Sequence, residues 1–258
     1  MQHPPPSLHD RLRDGRPCLG SWLSLGSPAV AELLCGIGYE FLVVDLEHTT
    51  TTLETTEAIL RVVELAGVVP LVRLTDHDPA LIKRVLDAGA HGIIAPMVTS
   101  RADVERLEAA MFYPPRGTRG VGLGRAQAYG GGFRQYVDSF AARAVLIPQI
   151  EHALAAERAH EILSHPAVTA YLIGPYDLSA SLGVPGELTH PSVEAAVAAV
   201  LSTAKTLGVP AGYHQVEPDP VGLSARIADG YQFLPFGVDF TFLRRAALAG
   251  PAALARPE

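Results

Sequence analysis

Lysine is nearly absent from this 258-residue chain: Lys83 and Lys205 are its only two copies. Both fall inside helical patterns and away from strand ends, which disfavours chemistry built on a lysine Schiff base. Cysteine is equally scarce. Cys18 and Cys35 lie in apolar segments without the spacing of a zinc site, and they read as buried free thiols in a reducing cytoplasm. A basic excess is also lacking. Twenty Lys and Arg against 27 Asp and Glu give a net charge of −7, which excludes a broad nucleic-acid footprint but leaves local arginines free to bind an anion. No apolar run approaches the roughly 18–20 residues of a spanning helix, so no membrane partner is expected. Residues 1–7, which open Met1-Gln2-His3-Pro4-Pro5-Pro6, lack the regions of a signal peptide and read as an extended arm.

What remains is a globular composition, 48% hydrophobic and 18% charged, without internal repeats or low-complexity tracts. Short runs rich in Val, Ile and Leu predict buried parallel strands over residues 18–25, 41–45, 70–74, 92–97, 145–150, 170–174, 210–214 and 233–238. Helical spacing predicts helices over 29–36, 53–65, 80–88, 101–111, 152–163, 191–207, 218–228 and 240–249, with Pro251 ending the last and a frayed turn over 252–255. Eight strands alternating with eight helices match a single-domain α/β chain, a (β/α)8 TIM barrel over residues 1–258. A doubly wound open sheet is the alternative. The longest unpatterned stretch, residues 113–132, holds seven glycines and three arginines, and loops of that length are commonly functional.

In a barrel, reacting groups sit at the C-terminal ends of strands. Polar residues occur at those ends: Asp45, Glu47 and His48 after the second strand, Arg73 on the third, Gln149 and Glu151 on the fifth, Tyr176 and Asp177 after the sixth, and His214 on the seventh. Glu151 and Asp177 are the natural pair for Mg²⁺ or Mn²⁺, with Co²⁺ a further candidate. The bland reading makes them solvated carboxylates at helix N-termini. Arg73, in a strand buried on both faces, needs an anionic partner, either Asp45, Glu47 or substrate. Asp45 could orient His48 as an acid–base dyad, or the histidine could be structural. His214 could simply line the pocket. The Gly120-Val121-Gly122-Leu123-Gly124 run follows no strand and lacks the Lys-Ser/Thr ending of a phosphate loop.

Read in order, several segments resemble the HpcH/HpaI aldolase family, the metal-dependent pyruvate aldolases. They are Val43-Val44-Asp45-Leu46-Glu47-His48, Pro70-Leu71-Val72-Arg73, Ala95-Pro96-Met97-Val98, Tyr113-Pro114-Pro115-Arg116-Gly117-Thr118-Arg119-Gly120-Val121-Gly122, Gln149-Ile150-Glu151 and Ile173-Gly174-Pro175-Tyr176-Asp177-Leu178-Ser179. The resemblance implies a homo-hexamer, a trimer of dimers that exchange their C-terminal helix. It implies a divalent cation on Glu151 and Asp177, chelated by a 2-oxo acid whose carboxylate meets the backbone amides around Tyr176 and Asp177. Arg73 would stabilise the enolate oxygen and Gln149 would help hold the ligand. His48, oriented by Asp45, would move the hydroxyl proton, and Trp22 would form part of the pocket wall. His214 and the Gly130-Gly131-Gly132 run depart from the family's pattern, and both bear on the acceptor.

The implied reaction joins pyruvate, or a close 2-oxo acid such as hydroxypyruvate, to an aldehyde. A CoA-thioester lyase or a citrate-forming condensation on the same scaffold is the alternative. A CoA user would need a basic surface for the nucleotide, and the loop with Arg116, Arg119 and Arg125 is the only candidate. A non-catalytic ligand-binding barrel would need a lost metal ligand or base, yet both are present.

Overall fold

Strand β2 (Phe41–Asp45) shows how the sequence builds the barrel. Side chains alternate along a strand, so Phe41, Val43 and Asp45 share one face. Phe41 and Val43 pack in the barrel interior, and the polar residue comes last, at the C-terminal end. The same rhythm runs through β3 (Val69–Arg73), as Val69, Leu71, then Arg73, and through β5 (Val145–Ile150), as Val145, Ile147, then Gln149. Three strands thus fill the interior with apolar residues and deliver a polar group to one mouth.

The computed structural model describes residues 7–254. Besides those three, it contains β1 (Cys18–Leu23), β4 (Gly92–Ala95), β6 (Leu172–Ile173) and β7 (Phe233–Val238). All pairings are parallel, in the order β6-β5-β4-β3-β2-β1-β7. The eighth strand expected over 210–214 is instead a run of single bridges: Tyr213 to Ile173 on one side, Gly212 to Phe233 and Gln215 to Phe236 on the other. These bridges close the ring, and the fold is a (β/α)8 barrel. Gly212 is needed there, because a Cβ would sit 2.2 Å from the Tyr171 carbonyl oxygen. Helices wrap the outside and bury the outward side chains of the strands in a second, larger core.

Several expectations shift. Residues 1–6 of the expected arm lie outside the described residues, and Ser7 caps a short helix, Leu8–Arg13, that periodicity did not reveal. Its Leu8 and Leu12, four apart and therefore on one face, plug the N-terminal end of the barrel interior. The unpatterned stretch holds a short 3-10 segment, Arg125–Gly130, and the helix Phe133–Arg143 follows it. The helix expected over 152–163 divides at Arg158. The C-terminal helix, Asp239–Ala247, stops before Leu248, and Pro251 sits inside a further turn, Ala249–Leu254, rather than ending the first. β4 ends at Ala95, two residues early, because Met97 takes a left-handed φ of 51°. No helix of the described residues is long and apolar enough to cross a membrane.

The arginine-rich stretch is tied down within the chain. It follows the C-terminus of the helix Arg101–Met111, and its arginines reach Glu64 and Asp87 in the last turns of the helices Leu53–Leu65 and Pro79–Ala88, so it lies at the end of the barrel opposite the polar mouth. Buried Arg119 meets Asp87 at 2.6 Å and the Tyr136 hydroxyl at 3.0 Å. Arg125 pairs with Glu64 at 2.5 Å, and Arg116 with Glu108 at 2.8 Å. All three expected nucleotide-binding arginines therefore already have carboxylate partners. Arg119→Ala would leave Asp87 without its cation and is expected to cost about 3 kcal/mol, read as a lower denaturation midpoint.

Candidate active site

The polar mouth encloses a cavity of about 420 Å³, lined among others by Trp22, Asp45, His48, Arg73, Gln149, Tyr176, Asp177 and His214. The structure therefore brings together all of the expected site residues except Glu151, which sits beside it behind Gly174. A Cβ at Gly174 would lie 2.5 Å from Glu151 Oε2 and 2.7 Å from Gln149 Nε2, so only glycine lets these side chains reach this point.

Arg73 is fixed from two directions. Its Nε donates to Asp45 Oδ1 at 2.8 Å and its Nη2 to Oδ2 at 2.7 Å, and Nη1 lies 3.1 Å from Glu47 Oε2. The Trp22 ring covers it, 4.9 Å from the guanidinium carbon. The register explains the clamp, since Asp45 and Arg73 are directly paired across β2 and β3. Burial pushes the Asp45 carboxyl up, but the hydrogen bonds and charge of Arg73 outweigh it and hold Asp45 below the usual carboxylate range.

This clamp corrects the expected dyad. Both oxygens of Asp45 are engaged by Arg73, and its side chain does not orient the His48 ring. Instead His48 is 62% exposed, with Nε2 3.7 Å from Glu47 Oε2. The physical reason is that a buried guanidinium demands a bidentate partner more than an exposed imidazole does.

Glu151 is 2% exposed and accepts the Met97 N–H at 2.7 Å. Gln149 also donates to it through Nε2. Burial, joined by the negative charges of Glu47 and Asp177, pushes its carboxyl up to about 7 despite the Met97 hydrogen bond. Glu47 is pushed up as well, by burial first and by Asp45 and Asp177, against Arg73 and His48. Arg73 answers Asp45 and Glu47, but Glu151 is raised by burial and by the neighbouring negative charges and, among the described residues, has no cationic side chain paired with it, a charge that a divalent cation would supply. Among the described residues no three His, Cys, Asp or Glu side chains form a ready-made cage. A two-carboxylate site leaves coordination positions to water and substrate oxygens, which suits a hard cation handling a substrate. Asp177 stands in the first turn of the helix Pro175–Ser181, whose N-terminus has no side-chain cap. The first-turn N–H groups of Tyr176 and Asp177 have no intrahelical acceptor and can receive an anion.

Met97 was missed as a site residue. Its left-handed φ turns the N–H onto Glu151, and nothing about a methionine after Ala95-Pro96 signals that conformation. Ser24 and Phe240, which also line the cavity, carried no motif signal either.

Residues 19–246 match the family model described as HpcH/HpaI aldolase/citrate lyase. A hydroxypyruvate/pyruvate aldolase of Sagittula stellata is 36% identical over 239 residues, covering 92% of this chain and 93% of that protein. A 2-keto-3-deoxy-L-rhamnonate aldolase of Salmonella gallinarum is 34% identical over 247 residues, covering 94% and 90%. The crystal structure of an HpcH/HpaI aldolase from Desulfitobacterium hafniense superposes with a TM-score of 0.90 at 28% identity, covering 98% of each chain.

Proposed function

The chain belongs to the HpcH/HpaI aldolase/citrate lyase family, and from that membership and the site geometry we propose that it is a metal-dependent aldolase acting on pyruvate or hydroxypyruvate and an aldehyde. The observation that carries the reading is a clamped, buried Arg73 at the same barrel mouth as Asp177 and as Glu151, whose buried carboxyl is pushed up.

Glu151 and Asp177 would hold Mg²⁺, Mn²⁺ or Co²⁺, which as a Lewis acid would lower the energy of negative charge on the keto oxygen of the 2-oxo acid. The residues of the chain do the rest. The Tyr176 and Asp177 N–H groups receive the substrate carboxylate. Arg73 is aimed where the enolate oxygen develops charge, and its orientation is already fixed before substrate arrives. Gln149 presents its amide to the same ligand. In the cleavage direction His48 takes the proton from the hydroxyl as the C–C bond breaks. The bonding electrons pass to the 2-oxo acid fragment, forming the enolate, and the other fragment leaves as the aldehyde.

The thioester alternative loses support here, because Arg116, Arg119 and Arg125 are all paired within the chain. The helix Asp239–Ala247 leaves Phe240, Leu243 and the following Leu248 exposed, which supports exchange of this helix between subunits in a hexamer. Free Cys18 and Cys35 support a cytoplasmic location. The single-domain assignment, the small-molecule partners and the absence of a nucleic-acid or membrane partner belong to the same reading.

The test is release of pyruvate from 4-hydroxy-2-oxo acids, with and without EDTA. No release in metal-replete enzyme overturns the aldolase reading. For the proton-transfer role, His48→Ala is expected to slow cleavage by about 10²–10⁴-fold. It should spare deuterium exchange at the pyruvate methyl group, which needs no hydroxyl proton. Loss of both steps together would instead make His48 a structural support.

A further inference from the structure

The peptide group between Pro96 and Met97 is held at both of its polar atoms. Its N–H, on Met97, donates to Glu151 Oε1 at 2.7 Å. Its carbonyl oxygen, on Pro96, lies 2.7 Å from His77 Nε2. A carbonyl oxygen can only accept, so His77 is the donor and a proton sits on Nε2. One planar group therefore joins the imidazole to the carboxylate. The topology makes the contact possible. His77 lies in the loop after β3, and β3 pairs with β4, whose end leads into Pro96. The flanks of His77 hold it there, since Asp76 Oδ1 accepts the Asp78 N–H at 2.9 Å and Asp78 caps the helix Pro79–Ala88.

His77 has no part in the proposed chemistry, yet the peptide it touches needs a restraint. Met97 has a φ of 51°, a left-handed conformation unfavourable for a residue with a side chain. A half-turn of the peptide plane would take Met97 out of that region with little shift of its neighbours. It would also turn the Pro96 oxygen towards the Glu151 carboxylate, where two acceptors repel each other. The chain on either side is fastened separately. Ala95 is paired with Pro148 in the sheet, and Asp103 accepts from the Thr99 N–H and from Ser100 Oγ, each at 2.9 Å. None of these contacts fixes the plane between Pro96 and Met97. The bond from His77 does, and by polarising the carbonyl it also strengthens the N–H on the other side as a donor.

We propose that His77 is a positioning residue of the metal site, which fixes the Pro96–Met97 peptide so that its N–H holds Glu151 in the orientation that binds the cation. This rests on the reading that Glu151 is a ligand of the divalent cation. Glu151 is held at Oε1 by Met97 and at Oε2 by Gln149, so loss of the first bond frees the carboxylate to rotate. Partners behind a metal ligand set its direction, and their loss commonly weakens binding about 10- to 100-fold.

The sequence supplies a direct probe. Its three methionines are Met1, Met97 and Met111, so protein labelled with nitrogen-15 methionine reports the Met97 amide with that of Met111 as an internal control. In metal-free protein, His77→Ala is expected to move the Met97 amide proton upfield and to leave Met111, at the end of the helix Arg101–Met111, in place. Calorimetry with Mn²⁺ should then show binding weakened about 10- to 100-fold. His77→Gln, whose amide nitrogen reaches about as far as the imidazole Nε2, should restore most of both. His77→Leu keeps bulk without a donor. It should behave as His77→Ala does, and it carries the test if the alanine variant does not fold. Wild-type affinity for Mn²⁺ in these two variants overturns the proposal and leaves the metal reading intact, as does an unmoved Met97 signal. Equal weakening in His77→Gln would show that the ring only packs the loop, and overturns it too. Wild-type protein that binds no Mn²⁺ overturns the metal reading itself, and the role of His77 falls with it.

Discussion

Glu151→Ala and Asp177→Ala are each expected to abolish aldol turnover while leaving the barrel folded. Neither side chain is part of the apolar core, and Glu151 is a net cost to the metal-free fold. Its carboxyl, buried and facing other carboxylates, is raised from 4.5 to about 7. The folded chain therefore keeps a proton on Glu151 that the unfolded chain has already released. Stability from this group falls as pH rises from about 4.5 to 7, and the cost is complete above that window. Glu151→Gln should flatten that slope in chelated protein, measured as denaturation midpoint against pH. Cation binding must displace the same proton, so affinity for Mn²⁺ by calorimetry should tighten up to about tenfold per pH unit below 7. Activity lost to EDTA should return with Mg²⁺, Mn²⁺ or Co²⁺. Full turnover in thoroughly chelated enzyme would overturn the metal role of the pair.

Much of this site was legible because strand periodicity is strict. Once Phe41 and Val43 are placed inside, Asp45 must point into the mouth, and the same holds for Arg73 and Gln149. Helices with strong end signals were legible too. Thr52 caps Leu53–Leu65, and Asp78 caps Pro79–Ala88, which Gly89 ends in a left-handed turn. Elements without such signals were not. Phe133–Arg143 begins at Gly132 without a side-chain cap and buries only Tyr136 and Phe140, too little for a clear stripe. The bridging run around Tyr213 makes isolated contacts to both neighbours, a tertiary arrangement that local alternation does not encode.

Within the site, sequence spacing identified the charged residues but not their pairings. Asp45 and His48 are three positions apart in a turn, which suggests a dyad. Asp45 and Arg73 are 28 apart and become neighbours only through the β2–β3 register. The register prevails because Arg73 is the residue with the most to lose from burial without a partner.

That pairing leads to the second large expected effect. Arg73→Ala should reduce deuterium exchange at the pyruvate methyl group by about 10²–10³-fold, the size of the effect when one donor to a developing oxyanion is removed. Exchange isolates enolate formation from the later chemistry at the aldehyde, so it reports on Arg73 without involving His48. Arg73→Lys is not expected to rescue it. The ammonium keeps the charge, but it cannot form the two parallel bonds to Asp45 that fix the guanidinium, at 2.8 and 2.7 Å. Asp45→Asn supplies the complementary test. It leaves Arg73 in place but replaces one of the two carboxylate oxygens with an amide nitrogen, which cannot accept from it. If Asp45 serves Arg73, as the geometry indicates, Asp45→Asn should impair exchange and cleavage together. If it served His48, exchange would be spared and cleavage alone would fall. Wild-type exchange in Arg73→Ala would remove the guanidinium from the chemistry and leave it only the structural task of pairing Asp45 and Glu47.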